Sequence, residues 1–159
     1  MNTFLRDKDF GEAVEALIAN ELGYEHHVTT CDDEGVDLIG HNGEIIIDVK
    51  AYKAPRRVKS FKGIFLELYQ KKSKRPGWLL DDTKKNNYYI FVVDCDEAGR
   101  RYGCHYTVER HRLRQLVEEY IKDKDAFITR YGMGLDFKDY ETTHGYIIPY
   151  YLLQLLDIE

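Results

Sequence analysis

Residues 35–50 read Gly-Val-Asp-Leu-Ile-Gly-His-Asn-Gly-Glu-Ile-Ile-Ile-Asp-Val-Lys. Two apolar, β-branched runs flank Asn42-Gly43, a dipeptide suited to a two-residue type I′ turn, so the stretch predicts a β-hairpin. Counting outward from the turn pairs His41 with Glu44, Gly40 with Ile45, Ile39 with Ile46, Leu38 with Ile47 and Asp37 with Asp48. In that register the two aspartates face each other with Cβ atoms roughly 5 Å apart, which destabilises a sheet unless something neutralises them. Side chains alternate along a strand, so Lys50 falls on the face of Asp48. One ammonium cannot balance both carboxylates, whereas a divalent cation can. The neighbouring Ile, Leu and Val residues mark a strand covered on both faces rather than a surface ribbon.

Two carboxylates holding a hard cation beside a lysine suit hydrolysis of a phosphodiester, because the cation polarises the phosphate and lowers the pKa of a bound water. The order Asp37, about ten residues, then Asp48-Val49-Lys50 resembles the PD-(D/E)xK nuclease superfamily. Val36-Asp37-Leu38-Ile39, Asn42-Gly43 and Ile47-Asp48-Val49-Lys50 are similar to the corresponding segments of archaeal Holliday-junction resolvases. Val36 stands where the superfamily's name has proline, and Asp48 where glutamate is commoner, with one methylene less reach. The resemblance covers residues 9–52. It implies an α/β fold with a restriction-endonuclease-like core and a magnesium- or manganese-dependent DNA endonuclease. Asp37, Asp48 and the Val49 carbonyl would be metal ligands, and Lys50 would act on the attacking water or the developing charge. It also implies a first-helix glutamate at the metal: Glu12, with Glu15 as its substitute.

The helical wheel leaves that choice open. Residues 9–22 have the apolar period of a helix through Phe10, Val14, Leu17 and Ile18, with Asp7 or Asp9 as a cap and Gly23 as the stop. Glu12 lies roughly opposite Phe10 and Leu17, sharing a side with Ala16 and Ala19. The helix dipole alone also favours a glutamate in a first turn.

After Lys50 the chain turns basic. Residues 50–75 hold ten lysines and arginines against Glu67 alone, a local charge of +9 that leaves −14 for the rest of a chain whose net charge is −5. A positive field next to the candidate strand points to a phosphate-rich partner, with Lys53, Arg56, Arg57, Lys59 and Lys62 as the nucleic-acid-binding residues. Arg110, Arg112 and Arg114, at the start of a later helix, are the next candidates. Pro55 takes the chain out of the sheet. Residues 61–70 read as a further strand, on which Glu67 or Gln70 could add a polar group to the site. Residues 71–85 read as a loop anchored by Trp78.

Residues 88–95, Tyr-Tyr-Ile-Phe-Val-Val-Asp-Cys, predict a central strand, and 101–108 its neighbour. A helix follows at 109–123. Residues 127–140 carry no clear period. A last strand falls at 145–149 and a closing helix at 151–156. The order implies one α/β domain over residues 1–159, with a mixed central β-sheet flanked by helices on both sides.

At 159 residues, 43 % hydrophobic and 32 % charged, the chain has ordinary globular composition. No apolar run approaches a bilayer span and no export signal opens the chain, so a cytoplasmic location and no membrane partner are expected. Cys31, Cys95 and Cys104 lack the spacing of a disulfide framework or a zinc site and read as reduced thiols, Cys104-His105 included. Cutting two strands suggests a homodimer. The same site could serve a restriction-like enzyme or an exonuclease, and a DNA-binding protein that keeps the fold without cutting is the alternative from another class.

Overall fold

A computed structural model describes residues 3–27, 35–54 and 63–158, with side chains from residue 8 onward. At its centre is the hairpin of β2 (Leu38–Gly40) and β3 (Ile45–Lys53). The observed pairs are Leu38 with Ile47, Ile39 with Ile46 and Gly40 with Ile45, the register counted from the sequence. The turn is left-handed: φ is 58° at Asn42 and 88° at Gly43, and the Glu44 N–H donates to the His41 carbonyl at 3.2 Å. Its backbone signs are those of type I′, whose twist matches the strands it joins. A Cβ on Gly43 would meet nothing within 4 Å, so Gly43→Ala should cost only backbone strain, about 1–2 kcal/mol. Urea unfolding would show that loss; unchanged stability would contradict the turn.

Three more strands complete a mixed sheet of order β1-β2-β3-β6-β7, with β1 at Glu25–His26, β6 at Tyr88–Cys95 and β7 at Cys104–Glu109. β6 runs parallel to β3, and all other neighbours are antiparallel. With partners on both sides, β6 is buried at six of eight positions, as its unbroken apolar run predicts.

α1 (Thr3–Leu22) covers one face of this sheet, placing Val14, Ile18 and Ala19 against Leu38, Ile47, Ile90 and Val92. It starts six residues before the apolar period does, so Asp7 and Asp9 lie within the helix and do not cap it. The other face was expected to be covered by helices and meets a second sheet besides. That sheet has the order β5-β4-β9-β8, formed by β4 (Gly63–Gln70), β5 (Arg75–Pro76), β8 (Asp136–Asp139) and β9 (Thr143–Pro149). β4 buries Ile64, Leu66 and Leu68, which pack with Tyr89, Phe91 and Val93 of the first sheet. α2 (Arg110–Lys122), α3 (Lys124–Tyr131) and α4 (Tyr150–Leu156) close this larger core through Leu113, Val117, Phe127 and Leu152. Among the described residues the result is one α/β domain with a mixed five-stranded sheet, a second sheet and four α-helices.

Residues 127–140, which lack a period, divide between the end of α3, a left-handed Gly132 that terminates it, and β8. Among the described residues no helix is long and apolar enough to cross a membrane.

Candidate active site

β2 and β3 part company at the aspartates. The Asp37 N–H donates to the Ile47 carbonyl at 2.9 Å, and the paired ladder goes no further than Leu38 and Ile47. The Asp37 carboxylate takes over the role of a strand partner: its Oδ2 accepts the Val49 N–H at 2.8 Å. Because the N–H and C=O of a strand residue point the same way, the Val49 carbonyl also faces this edge. Asp48, 7 % exposed, projects from β3 toward the second sheet, in register with Tyr89 of β6. Lys50, on the same face, sets its Nζ 3.3 Å from Asp48 Oδ2 and 4.8 Å from the centroid of the Trp78 ring. Trp78 in turn stands edge-on to Tyr89, ring centroids 5.1 Å apart, and its carbonyl accepts from the Tyr89 hydroxyl at 3.3 Å.

Burial pushes the Asp37 carboxyl up to about 7, helped by the charge of Asp48 and a hydrogen bond with it, and opposed by hydrogen bonds to Glu15 and the Val49 amide. The same environment raises two phenols: Tyr89 goes up to about 12, and Tyr52, next but one along β3 from Lys50, is raised further, each first by burial and then with a contribution from Asp48.

Asp37 thus retains a proton between about pH 4 and pH 7 that the unfolded chain has lost. Stability from this group is fully present below pH 4 and falls as pH rises through 7. Asp48→Asn removes the facing charge, so its stability should decline less over that window, as denaturant midpoints at pH 4.5 and 7.5 would show. Equal declines in the two proteins would rule out the pairing as the cause.

Of the two first-helix glutamates, the structure brings in Glu15 and leaves Glu12 outside. The Glu12 side chain is 42 % exposed and lies 4.0 Å from Lys8 Nζ. Glu15 is hydrogen-bonded to Asp37 and lies 3.7 Å from His26 Nε2 on β1. His26 and Trp78 are the neighbours that sequence reasoning left out of the site. A two-residue strand and a loop carry no periodic signal that would have placed them. Glu67 and Gln70 bond each other, Gln70 Nε2 donating to Glu67 Oε1 at 3.0 Å.

Arg56, Arg57, Lys59 and Lys62 lie outside the described residues. Lys53 reaches Glu97 at 3.3 Å and the Phe10 ring at 4.8 Å. Arg110 and Arg114 have a structural task, donating to the carbonyls of Leu79, Asp81, Lys84 and Asn86 and so holding the loop that follows Trp78.

As a donor set, Asp37, Asp48, Glu15 and the Val49 carbonyl offer only hard oxygens, which suits magnesium or manganese rather than zinc. The carboxyls touch in a chain, Glu15 to Asp37 to Asp48. Among the described residues no three His, Cys, Asp or Glu side chains form a ready metal cage. The residues fit a cation through chemistry: a divalent ion would neutralise the facing Asp37 and Asp48 carboxyls, whose burial and mutual charge otherwise push Asp37 up to about 7. Cys95 is buried and Cys104 exposed, both as free thiols, and Cys31 lies outside the described residues.

Comparison of the chain with protein-family models, with curated proteins and with solved structures found no match.

Proposed function

We propose that this protein is a metal-dependent DNA endonuclease, structure-specific in the manner of a Holliday-junction resolvase and acting as a homodimer. The observation that carries the reading is the pair of opposed, touching carboxyls, Asp37 and Asp48, with the Lys50 ammonium 3.3 Å from Asp48. Structural ion pairs are usually one acid to one base; here two acids are buried together at the end of a paired ladder, an arrangement that costs stability until a cation neutralises it.

A magnesium or manganese ion held by Asp37, Asp48 and the Val49 carbonyl, with Glu15 beside them, would supply Lewis-acid polarisation of the scissile phosphate and a more acidic water. The chain's own residues do the rest. Asp48 and Trp78 fix the Lys50 ammonium between a carboxylate and a ring face, so a fixed positive charge faces the developing phosphorane oxygens or orients the attacking water. Asp37 holds the middle of β3 through the Val49 amide and thereby fixes the direction of the adjacent carbonyl. The sheet packing on both sides keeps this group rigid.

The test is incubation of the purified protein with closed-circular plasmid, linear duplex, single strands and a four-way junction, each with magnesium, with manganese and with EDTA. The reading expects metal-dependent cutting inside the chain, strongest on the junction. Digestion only from ends would make it an exonuclease with the same site. DNA binding without cutting of any substrate would leave the non-cleaving alternative.

A further inference from the structure

α1 carries a glycine that the packing of the described residues does not explain. Gly11 sits in the middle of a 20-residue helix, where glycine is the least favourable residue after proline. A Cβ there would meet, among the described residues, only Glu15 Oε2 at 3.7 Å, an ordinary contact with the end of a flexible side chain. Gly11 faces a cleft of about 490 Å³ lined with it by Phe10, Val49, Ala51, Tyr52 and Lys53. Glycine without a packing reason beside an open cleft marks a place where something approaches the backbone closely.

The cleft shares Val49 with the candidate site. Val49 lines it with its side chain and bonds Asp37 with its amide, while Asp48 and Lys50 project from the opposite face of the same strand. Beyond Ile47 the ladder with β2 has ended, so an extended substrate crossing this edge of β3 reaches both faces at once. The lining suits a nucleoside. Phe10 offers aromatic surface, Val49 and Ala51 are apolar, and the Lys53 ammonium, over the Phe10 ring and 3.3 Å from Glu97, keeps 30 % of its side chain exposed, while the Tyr52 ring packs on the other face of β3.

We propose that this cleft is a nucleoside subsite: it receives the sugar and base next to the phosphate held at Asp48 and Lys50, with Gly11 as the point of close approach. The inference rests on the nuclease reading, and its test separates the two.

With the cut position mapped on wild type, a fluorescein-labelled DNA duplex and copies carrying one abasic site at each nucleoside around the cut are bound in EDTA and cleaved in magnesium. One abasic position is expected to weaken wild-type binding at least about fivefold, the loss of one base's stacking. Gly11→Leu, which fills the cleft, should weaken binding of the intact duplex by a similar factor and lose the difference between intact and abasic DNA. Gly11→Ala should raise Tm by a few degrees, since alanine is the better helix former. If no abasic position matters to wild type, or if Gly11→Leu binds and discriminates as wild type does, the subsite is overturned while the nuclease reading stands. The abasic series needs no variant, so it decides the matter even if Gly11→Leu fails to fold. A wild-type protein that neither binds nor cuts DNA would overturn both.

Discussion

Lys50→Ala is expected to lose DNA cleavage by on the order of 10²-fold or more, with metal binding retained. The side chain sits between Asp48 Oδ2 at 3.3 Å and the Trp78 ring at 4.8 Å, so its ammonium is held in place before substrate arrives. A fixed charge acts on the transition state without the reorganisation that water would need. Removing it leaves the carboxyls intact, so single-turnover rates at saturating metal isolate the lysine's part from that of the cation. The variant will also be less stable without metal, because Asp48 loses the cation beside it in a buried position. Comparing rates well below the variant's Tm separates that loss from the chemistry. A Lys50→Ala protein cutting at the wild-type rate would remove the lysine from the mechanism.

The second large effect is on stability. A ligand bound only by the folded state at a hundred times its Kd adds about 2.7 kcal/mol, which for a chain of this size raises Tm by roughly 5–10 °C. Manganese or magnesium should do this to wild type above pH 7, where the proton on Asp37 no longer competes. In Asp37→Asn and Asp48→Asn the metal-induced rise should disappear. Without metal, both variants should melt at or above the wild-type temperature at pH 8, since each relieves the repulsion between two buried carboxylates. Scanning fluorimetry across a metal series reads both effects. Equal metal shifts in all three proteins would place the cation elsewhere.

The hairpin was legible because its information is local. Asn42-Gly43 fixes the turn and the turn fixes the register, so the meeting of Asp37 with Asp48 follows from counting residues. The burial of β6 was legible for a related reason: an unbroken apolar run needs cover on both faces. What the sequence hid is long-range. The strand period of residues 61–70 shows that one face is buried but not against which partner, and β4 pairs with β9, some eighty residues later, instead of extending the first sheet. Helices packed on both faces of one sheet were therefore an incomplete expectation for the second face, which α2 and α4 share with a second sheet.

The choice between Glu12 and Glu15 had a signal that was passed over. Glu15 precedes Ile18 and Ala19 by three and four residues, and both are buried against the sheet, so their row faces it and carries Glu15 with them. Trp78 could be read as an anchor, but its place above Lys50 depends on how the loop after it is held by Arg110 and Arg114, contacts that no spacing reveals.

The central claim is that Asp37, Asp48 and Lys50 form a cation-dependent centre for cutting phosphodiesters. Its most direct test is the nicking of closed-circular plasmid by wild type and Asp48→Asn purified side by side, in magnesium, in manganese and in EDTA. The account predicts nicked and linear products from wild type with either metal, none with EDTA, and a loss of on the order of 10²-fold or more in Asp48→Asn although the variant folds. Cutting by Asp48→Asn at the wild-type rate, or wild-type cutting undiminished by EDTA, would contradict it.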